Sequence, residues 1–498
     1  MTALRSAESE DHSVPGPRPQ STAGGLLWLI GGRFTNLAMS IVSTAILSRF
    51  LTPEQFGQLV PVLIVISLSV AVFDGTFGVG IIRSQQLELE NVRVALGNCL
   101  FVATILVATL LIGSPLIERF FHFRQLSELI AAASLVVLLR AVFAIASAVL
   151  QRERRYKEIS LASTMAAPFG SLLVAVPLAI AGFGAWSLLI GTISQSLVET
   201  AIVAHRARLP WRFSITRAGI SELGSMEGYF ALNQLLNWAA LSSANVVAGH
   251  YLSLSQLGFY SRSWRLLDIA VAATSTPLQR VLVPIFAGLQ ANTDDARIKF
   301  EQALAIAVPA FAVAGTLACM HAEAMVRLLL GDQWIATIPL VQVLFSALVA
   351  RCGYKISESV LVGFGRARSA AIRQFAYFLM LSGGAVIAVR WQALGIAVST
   401  SAAVWLFYLI SITQAMTLLG TRWSTVLMIH LRAAMLVTSA VLFHYTVASL
   451  ASAPGYWLGE VIIGSADAVF IIVVTLLAPP WLVGAMLQTF VRKRGAMR

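Results

Sequence analysis

Charged side chains are scarce in this chain of 498 residues. Asp, Glu, Lys and Arg make up 12% of the sequence, whereas 58% of the residues are hydrophobic and the mean hydropathy is +0.80. A soluble domain of this length needs a polar surface that such a composition does not supply. Apolar runs of about 20 residues, long enough for a helix to cross a hydrocarbon core of roughly 30 Å, recur along the chain. The composition excludes a soluble globular protein and predicts an all-α polytopic membrane protein.

Sequence motifs for metals, disulfides and nucleotides are lacking as well. The three cysteines, Cys99, Cys319 and Cys352, lie in or beside apolar runs with no CxxC or Cys/His spacing. The seven histidines show no spacing that suggests a metal site. The chain has no GxxxxGK[ST] motif for a nucleotide. We therefore expect neither an enzyme nor a bound cofactor.

Apolar windows, broken at charge clusters and at Gly or Pro turns, predict fourteen membrane spans. Residues 1–22 are polar and contain three acidic residues, which does not resemble a secretory signal, so we expect a disordered cytoplasmic tail. The predicted spans are 24–48, 58–82, 94–117, 127–150, 160–182, 185–204, 226–248, 260–286, 299–321, 337–363, 369–389, 392–415, 425–449 and 458–489.

The positive residues are unevenly distributed between the two sets of loops. If the N-terminus is cytoplasmic, the loops on that side hold about three times as many Arg and Lys as the opposite loops, in accordance with the positive-inside rule. The strongest clusters are "QRERRYKE" (151–158) and "HRARLPWRF" (205–213). The formal charge of +12 is therefore explained by topology and does not indicate a nucleic-acid partner. Both termini are expected in the cytoplasm.

One short motif occurs twice at a constant offset. "LSRFLTPEQFGQL" (47–59) and "AGHYLSLSQLGFY" (248–260) each join the first two spans of a block of six, and Gly57 aligns with Gly258. A weaker echo precedes the last span of each block, "GFGAWSL" (182–188) and "QALGIAVS" (392–399). Parallel repeats of this kind recur in transporters, which place the substrate between the two halves.

The repeat predicts two six-helix lobes followed by two further helices. For the duplicated motif we expect a tight outer turn, enabled by Gly57 and Gly258, with a structural and gating role. The predicted parts are a tail (1–22), an N-lobe (23–204), a basic linker (205–225), a C-lobe (226–415), a C-terminal helix pair (425–489) and a basic tail (490–498).

Ionisable residues inside the spans are the candidates for function. A charge at the bilayer centre costs at least about 2.5 kcal/mol, so it normally faces a cavity or a partner. Arg33, Arg140 and Arg351 have no acidic residue close in sequence, and guanidinium binds phosphate in a bidentate manner. A cavity with unpaired arginines suits a diphosphate head group. The full set of cationic candidates is Arg33, Arg140, Arg265, Arg351 and Lys355.

The acidic candidates allow two interpretations. Arg351, Lys355 and Glu358 are spaced i, i+4, i+7, which places them on one face of a helix. Local salt bridges, Arg265 with Asp268 and Lys355 with Glu358, are the structural alternative to substrate binding. Asp74 and Glu199 are candidates to pair with the arginines or to carry a coupling H⁺ or Na⁺. The sequence does not decide between these roles.

Several motifs, taken in order, resemble those of a known family. They are "LSRFLTPEQFGQL", "LSLSQLGFYSRSWRLLDI", "VLVPIFAGLQ", "LLLGDQW" followed by "IPLVQVL", and "GFGAWSLL". The chain resembles the Wzx-type flippases of O-antigen and exopolysaccharide units, which belong to the multidrug/oligosaccharidyl-lipid/polysaccharide (MOP) superfamily.

The resemblance implies a V-shaped pair of six-helix lobes, similar to MATE transporters and MurJ, in the bacterial inner membrane. It implies alternating access that moves an undecaprenyl-diphosphate-linked oligosaccharide to the periplasmic leaflet. Matching the cationic cavity of related lipid flippases selects Arg33 and, in span eight, Arg265, with Arg262 as the alternative. A polysaccharide polymerase and a chain-length regulator are the protein partners that the resemblance implies, besides the lipid bilayer.

Two other functions remain open at the level of the sequence. A drug or organic-cation antiporter of the same superfamily needs an acidic and aromatic site, whereas the unpaired groups here are mainly basic. A membrane component of polysaccharide assembly that does not transport, such as a polymerase, is expected to have a large outer loop. Every predicted outer loop is short.

Overall fold

The computed structural model describes residues 22–73, 77–83, 89–210, 214, 226–450 and 456–477. All regular elements in these ranges are helical. The helices of the first half of the chain are α1 (Thr22–Phe50), α2 (Pro53–Val72), α3 (Gly78–Arg83), α4 (Leu89–Phe121), α5 (Leu126–Arg152), α6 (Tyr156–Pro168), α7 (Val176–Ile180) and α8 (Ala185–Arg206). A π-helical segment, Phe169–Ala175, joins α6 to α7.

The second half of the chain is helical as well. Its helices are α9 (Met226–Tyr251), α10 (Leu254–Gly288), α11 (Thr293–Met320), α12 (Ala322–Leu329), α13 (Ile338–Ser346), α14 (Leu348–Gly363), α15 (Ala367–Ala388) and α16 (Gln392–Leu419). Two further helices, α17 (Trp423–Leu450) and α18 (Tyr456–Leu477), follow. Short 3₁₀ segments at Asp332–Thr337 and Val389–Trp391 precede α13 and α16.

The apolar composition of these helices identifies a multi-pass membrane protein. Within the described ranges, nine helical segments are long and apolar enough to cross a membrane, or ten if the bent helix α10 is one span. The prediction of an all-helical membrane protein is confirmed. The count of fourteen spans, the two-lobe symmetry and the domain limits stay predictions, and the basic linker and the C-terminal tail lie largely outside the described residues.

Several predicted spans are interrupted in the structure. The predicted span 337–363 is broken at Ala347 into α13 and α14. Span 160–182 contains the π-helical segment, with Pro168 before it and Pro177 after it. Because proline lacks a backbone N–H and crowds the preceding turn, it breaks or bends a helix at that point. α10 is similarly bent by 41° at Pro277.

The same helix pairings occur in both halves of the chain. α1 packs on α6 as α9 packs on α15, and α2 packs on α5 as α10 packs on α14. Likewise α4 packs on α5 as α11 packs on α14, and α5 packs on α8 as α14 packs on α16. The two halves meet mainly where α2 packs against α10 and α9. α17 packs on α11, and α18 packs along α17.

The duplicated motif is mostly helical rather than a loop. α1 ends at Phe50 and α2 begins at Pro53, while α9 ends at Tyr251 and α10 begins at Leu254. Two residues therefore make each turn. The hydroxyl of Thr52 caps α2 and that of Ser253 caps α10, each accepting a hydrogen bond from a backbone N–H of the first turn.

The expected turn-forming role of the two glycines is therefore wrong. Gly57 lies inside α2 and Gly258 inside α10, one turn beyond the caps. Neither has a positive φ. Their role has to be sought in the packing between the helices.

Candidate functional site

A cavity of about 380 Å³, lined by apolar and polar side chains, lies between helices of the two halves. α1 and α6 form one side and α10 forms the other. The cavity is large enough for part of a polar ligand, because typical small-molecule sites begin at about 300 Å³. The polar side chains on its wall are Asn36, Ser40, Ser160, Ser163, Arg265, Asp268 and Arg280.

Arg265 is the predicted cationic residue that the structure places on this wall. Its guanidinium donates a hydrogen bond to the hydroxyl of Ser40 in α1, with an N–O distance of 3.2 Å. The other candidate in this helix, Arg262, lies elsewhere, with its guanidinium carbon 3.6 Å from the centre of the Phe56 ring. The structure therefore assigns Arg265 to the cavity and Arg262 to the contact between α10 and α2.

Arg140 has no acidic residue close to it in sequence, but it pairs with Glu199, one of the candidates to pair with the arginines. Its guanidinium lies 3.7 Å from the carboxylate of Glu199, whose side chain is only 8% exposed. The carboxylate also accepts a hydrogen bond of 2.5 Å from Ser163. Because Ser163 lies on the cavity wall, this chain of contacts leads from the interior of the first half to the cavity.

Arg351 also has no acidic residue close to it in sequence, and its partner comes from another helix. Its guanidinium lies 3.5 Å from the carboxylate of Asp268 and donates a hydrogen bond to the hydroxyl of Tyr377. It also lies 4.7 Å from the centre of the Trp264 ring. The Arg351 side chain is 4% exposed, whereas that of Asp268 is 40% exposed. Arg351 thus acts on the cavity through Asp268 instead of lining it.

Lys355 and Glu358 form the local salt bridge that was the structural alternative. The ammonium nitrogen lies 3.3 Å from the Glu358 carboxylate, which also accepts a hydrogen bond from Gln279 of α10. The face of α14 that carries Arg351, Lys355 and Glu358 therefore lies against α10. The other suggested pair does not form, because among the described residues Asp268 pairs with Arg351 and not with Arg265.

Two predicted residues cannot be placed. Asp74 and the side chain of Arg33 lie outside the described residues, so their roles stay predictions. The backbone of α1 around position 33 is close to the cavity, because Gly32 and Asn36 belong to its wall.

The duplicated motif forms a reciprocal contact between the halves. A β-carbon on Gly57 would lie 2.0 Å from the carbonyl oxygen of Leu254, and one on Gly258 would lie 2.0 Å from that of Pro53. Each glycine therefore lets the start of the other copy's second helix approach its backbone. The carboxylate of Glu54 accepts a hydrogen bond from the hydroxyl of Ser255 at the same crossing.

Trp334 covers this crossing from the second half of the chain. Its indole nitrogen donates a hydrogen bond of 2.8 Å to the carbonyl oxygen of Ser48, and its ring contacts those of Phe56 and Phe259. The neighbouring Gln333 donates hydrogen bonds to the carbonyls of Ser48 and Leu51. Since Trp334 is fully buried, the two halves are sealed together at this end of the molecule.

Sequence reasoning did not single out Arg280, Ser40 or Ser163. A signal for Arg280 was present, because it follows Arg265 by about four helical turns and so lies near the same face of α10. Hydroxyl residues are common in membrane helices, where they bond to their own backbone. Ser40 and Ser163 therefore carried no distinguishing signal.

The structure thus defines a polytopic helical membrane protein with a cavity between its halves, on whose wall lie two arginines and an aspartate. The family model described as "Polysaccharide biosynthesis protein" matches residues 46–339, more than half of the chain, and the chain belongs to this family.

Two relatives agree with this assignment. The chain is 24% identical to the succinoglycan biosynthesis transport protein ExoT of Rhizobium meliloti (strain 1021) over 64% of each chain. It is 23% identical to the lipopolysaccharide biosynthesis protein WzxC of Escherichia coli (strain K12), over 65% of this chain and 66% of that protein. The aligned region spans just under two thirds of ExoT and of WzxC. The Wzx-type resemblance is confirmed.

The fold is shared with a structure of the lipid II flippase MurJ in an inward closed conformation. The TM-score is 0.71 at 11% identity, covering 90% of this chain and 98% of that one. At this identity the likeness concerns the fold alone.

Proposed function

We propose that this protein is a flippase that moves polyprenyl-diphosphate-linked oligosaccharide units across the bacterial inner membrane for surface polysaccharide synthesis. In this proposal the two halves alternate between states open to the cytoplasm and to the periplasm, with both termini in the cytoplasm. The substrate enters the cavity between α1, α6 and α10.

The observation that carries the proposal is the pair of arginines on the cavity wall. Arg265 and Arg280 lie on α10 and face serines of α1 and α6. Guanidinium groups bind diphosphate oxygens through paired charge-assisted hydrogen bonds, and the hydroxyls suit the polar groups of sugars. A cation-binding antiporter would require the opposite polarity at this wall.

The proposed substrate has a polar head group and an apolar tail, which require different environments during transport. A sugar diphosphate would pay a large desolvation penalty to cross hydrocarbon alone. A hydrated cavity keeps this head group in a polar environment, while the polyprenyl tail remains in the surrounding lipid. A lateral opening between the halves, beside α1 and α6, would let the two parts move together.

The contact between the duplicated motifs acts as the outer gate in this proposal. Under the predicted topology both copies lie at the periplasmic end, where Gly57, Gly258 and Trp334 hold α2 against α10. Release of the substrate to the periplasm requires these helices to separate. The contacts that would have to separate are the backbone packing at the two glycines, the hydrogen bond between Glu54 and Ser255 and the stacking of Arg262 on Phe56.

Two carboxylates are the candidates for coupling to H⁺ or Na⁺. Asp268 is partly exposed to the cavity while paired with Arg351, and Glu199 is linked to the cavity through Ser163. Binding of a cation to either carboxylate would weaken its pairing with the arginine and change the charge at the cavity wall. The polymerase and the chain-length regulator are the proposed protein partners.

The proposal is tested by replacing Arg265 in a strain that depends on this chain for its surface polysaccharide. Arg265→Ala and Arg280→Ala should each lower export by about tenfold or more, because each removes charge-assisted hydrogen bonds worth about 1.5 to 3 kcal/mol. Lipid-linked oligosaccharide should accumulate inside the cell. Arg265→Lys keeps the charge but not the bidentate geometry, so its effect should be smaller.

Arg390→Ala is the matched control. This exposed arginine stacks on Trp391, with 3.9 Å between its guanidinium carbon and the ring centre, and lies away from the cavity wall. Its replacement should leave export unchanged. Normal export by both cavity variants would refute the proposed site, and normal polysaccharide in a deletion strain that instead becomes sensitive to organic cations would favour the antiporter.

A further inference from the structure

Three residues that are far apart in the sequence meet beside the C-terminal helix pair. His321 lies between α11 and α12, His444 lies in α17, and Asp467 lies in α18. Each offers one ligand atom, and these atoms all lie within 4.8 Å of one another. The spacing of the histidines in the sequence indicated no metal site, because the three ligands come from distant parts of the chain.

The contacts converge on one oxygen atom. Asp467 Oδ2 lies 3.0 Å from His321 Nε2 and 2.6 Å from His444 Nδ1. Two imidazole nitrogens and one carboxylate oxygen are a ligand set that Zn²⁺ prefers, and a fourth position is then left for water. Small movements of the side chains would bring all three atoms to bonding distance around an ion at this point.

A second carboxylate lies behind one of the histidines. Glu460 Oε2 is 3.1 Å from His321 Nδ1, the ring nitrogen opposite to the one that faces Asp467. A histidine that binds a metal usually donates its other N–H to a carboxylate, which fixes the ring and its tautomer. Glu460 holds His321 in this way.

Asp467 provides an independent indication that a cation belongs here. Its side chain is 3% exposed, and its other oxygen, Oδ1, is buried with no hydrogen-bond partner among the described residues. A buried carboxylate with an unsatisfied oxygen is costly unless a positive charge lies close to it. A metal ion between Asp467 and the two histidines would supply this charge.

His321 has a carboxylate oxygen at each ring nitrogen, Glu460 Oε2 at Nδ1 and Asp467 Oδ2 at Nε2. A metal ion bound to Nε2 and to Asp467 would leave Nδ1–H to donate a hydrogen bond to Glu460.

We propose that His321, His444 and Asp467 bind a divalent transition-metal ion, for which their ligand set selects Zn²⁺, and that Glu460 positions His321. The ion fastens α17 and α18 to the junction of α11 and α12. Under the predicted topology this junction is at the periplasmic end, so the ion comes from the periplasm. The site is separate from the cavity and does not depend on the proposed flippase activity.

The test uses the purified full-length protein in detergent, treated with a chelator and then dialysed against zinc chloride. Elemental analysis should give about one zinc per chain, and the apparent Tm should rise with free zinc, since an ion that binds only the folded state stabilises it. Co²⁺ in place of zinc should give the visible absorption of a four-coordinate nitrogen and oxygen site.

Three variants and one control make the result specific. His444→Ala and Asp467→Asn should abolish zinc uptake, and Glu460→Ala should weaken affinity by about 10- to 100-fold. His250→Ala is the control, because His250 and His122 form another close histidine pair, with ring centres 5.2 Å apart. This control should keep its zinc.

Two results would overturn the proposal. The first is zinc uptake that is absent from the wild type or equal in wild type and Asp467→Asn. The second is a Tm that depends on pH and not on zinc, which would mean that protonated histidines alone balance the charge of Asp467. A size-exclusion profile of each variant distinguishes misfolding from loss of the metal site. The Co²⁺ spectrum of the wild type is the reference for an intact site.

Discussion

Gly57 and Gly258 each lie where the molecule has no room for a side chain. A β-carbon at either position would lie 2.0 Å from a carbonyl oxygen of the opposite helix. The sequence showed that the two glycines correspond to each other. It did not show why, because close approach of two helix backbones depends on a crossing that only the folded structure defines.

Gly57→Ala should therefore weaken the contact between α2 and α10. Overpacking of this kind costs about 1 to 3 kcal/mol, so the apparent Tm and export should both fall while membrane insertion is kept. Gly113→Ala is the control, since a β-carbon at this position in α4 meets nothing within 4 Å. Export by Gly57→Ala equal to that of the control would show that the tight crossing is not needed.

The Arg140 and Glu199 pair shows what sequence reasoning can and cannot supply at the residue scale. Both were selected because charges inside a span need a partner. The sequence offered Glu199 as one partner among several for the arginines, since the two residues lie on different helices. Only the packing of α5 against α8 identifies the pair.

The pair can be tested with a double-mutant cycle. Arg140→Ala leaves the Glu199 carboxylate uncompensated and should lower the free energy of unfolding by about 3 kcal/mol. Adding Glu199→Gln removes that stranded charge, so the double variant should be more stable than Arg140→Ala alone. Thermal unfolding in detergent measures the four proteins of the cycle, and strictly additive effects would mean that the two side chains do not interact.

At the scale of the elements, the positions of the helices were more predictable than their interruptions. Each span can be predicted from its run of apolar residues, because a helix that crosses the bilayer needs an apolar surface of that length. The break at Ala347 and the π-helical segment before Val176 cannot be predicted from composition, because they depend on neighbouring helices that satisfy the displaced backbone groups. The duplicated motif was similarly predicted to be a longer loop than the two-residue turns that the structure contains.

The caps of α2 and α10 can be tested individually. Thr52 takes part in a capping box with Gln55, whose side chain accepts a hydrogen bond from the Thr52 backbone. Thr52→Ala should lower the free energy of unfolding by about 1 kcal/mol. Thr52→Ser keeps the hydroxyl and should retain most of the stability, so an equal loss from both variants would exclude capping as the cause.

At the scale of the whole molecule, the sequence predicted the class of fold but only part of the candidate site. Composition and the repeat of Gly57 and Gly258 predicted a helical membrane protein with related halves, and the recurring helix pairings agree with this. Arg265, one of the predicted cationic residues, lies on the cavity wall, whereas Arg140 and Arg351 pair with Glu199 and Asp268. Partners brought together from distant helices leave no periodic signal in the sequence.

In the proposed function, transport requires α2 and α10 to separate at the duplicated motif. Glu54 and Ser255 touch across this crossing. In a background in which Cys319 is replaced by serine, Glu54→Cys with Ser255→Cys should form a disulfide that holds the two helices together. The single cysteine variants, treated with the same oxidant, are the controls.

The decisive measurement is surface polysaccharide export by this double variant before and after oxidation. We expect export to fall to the level of a deletion strain once the cross-link is complete, and to return when a reductant opens it. The single variants should export normally throughout. Undiminished export by fully cross-linked protein would contradict the account.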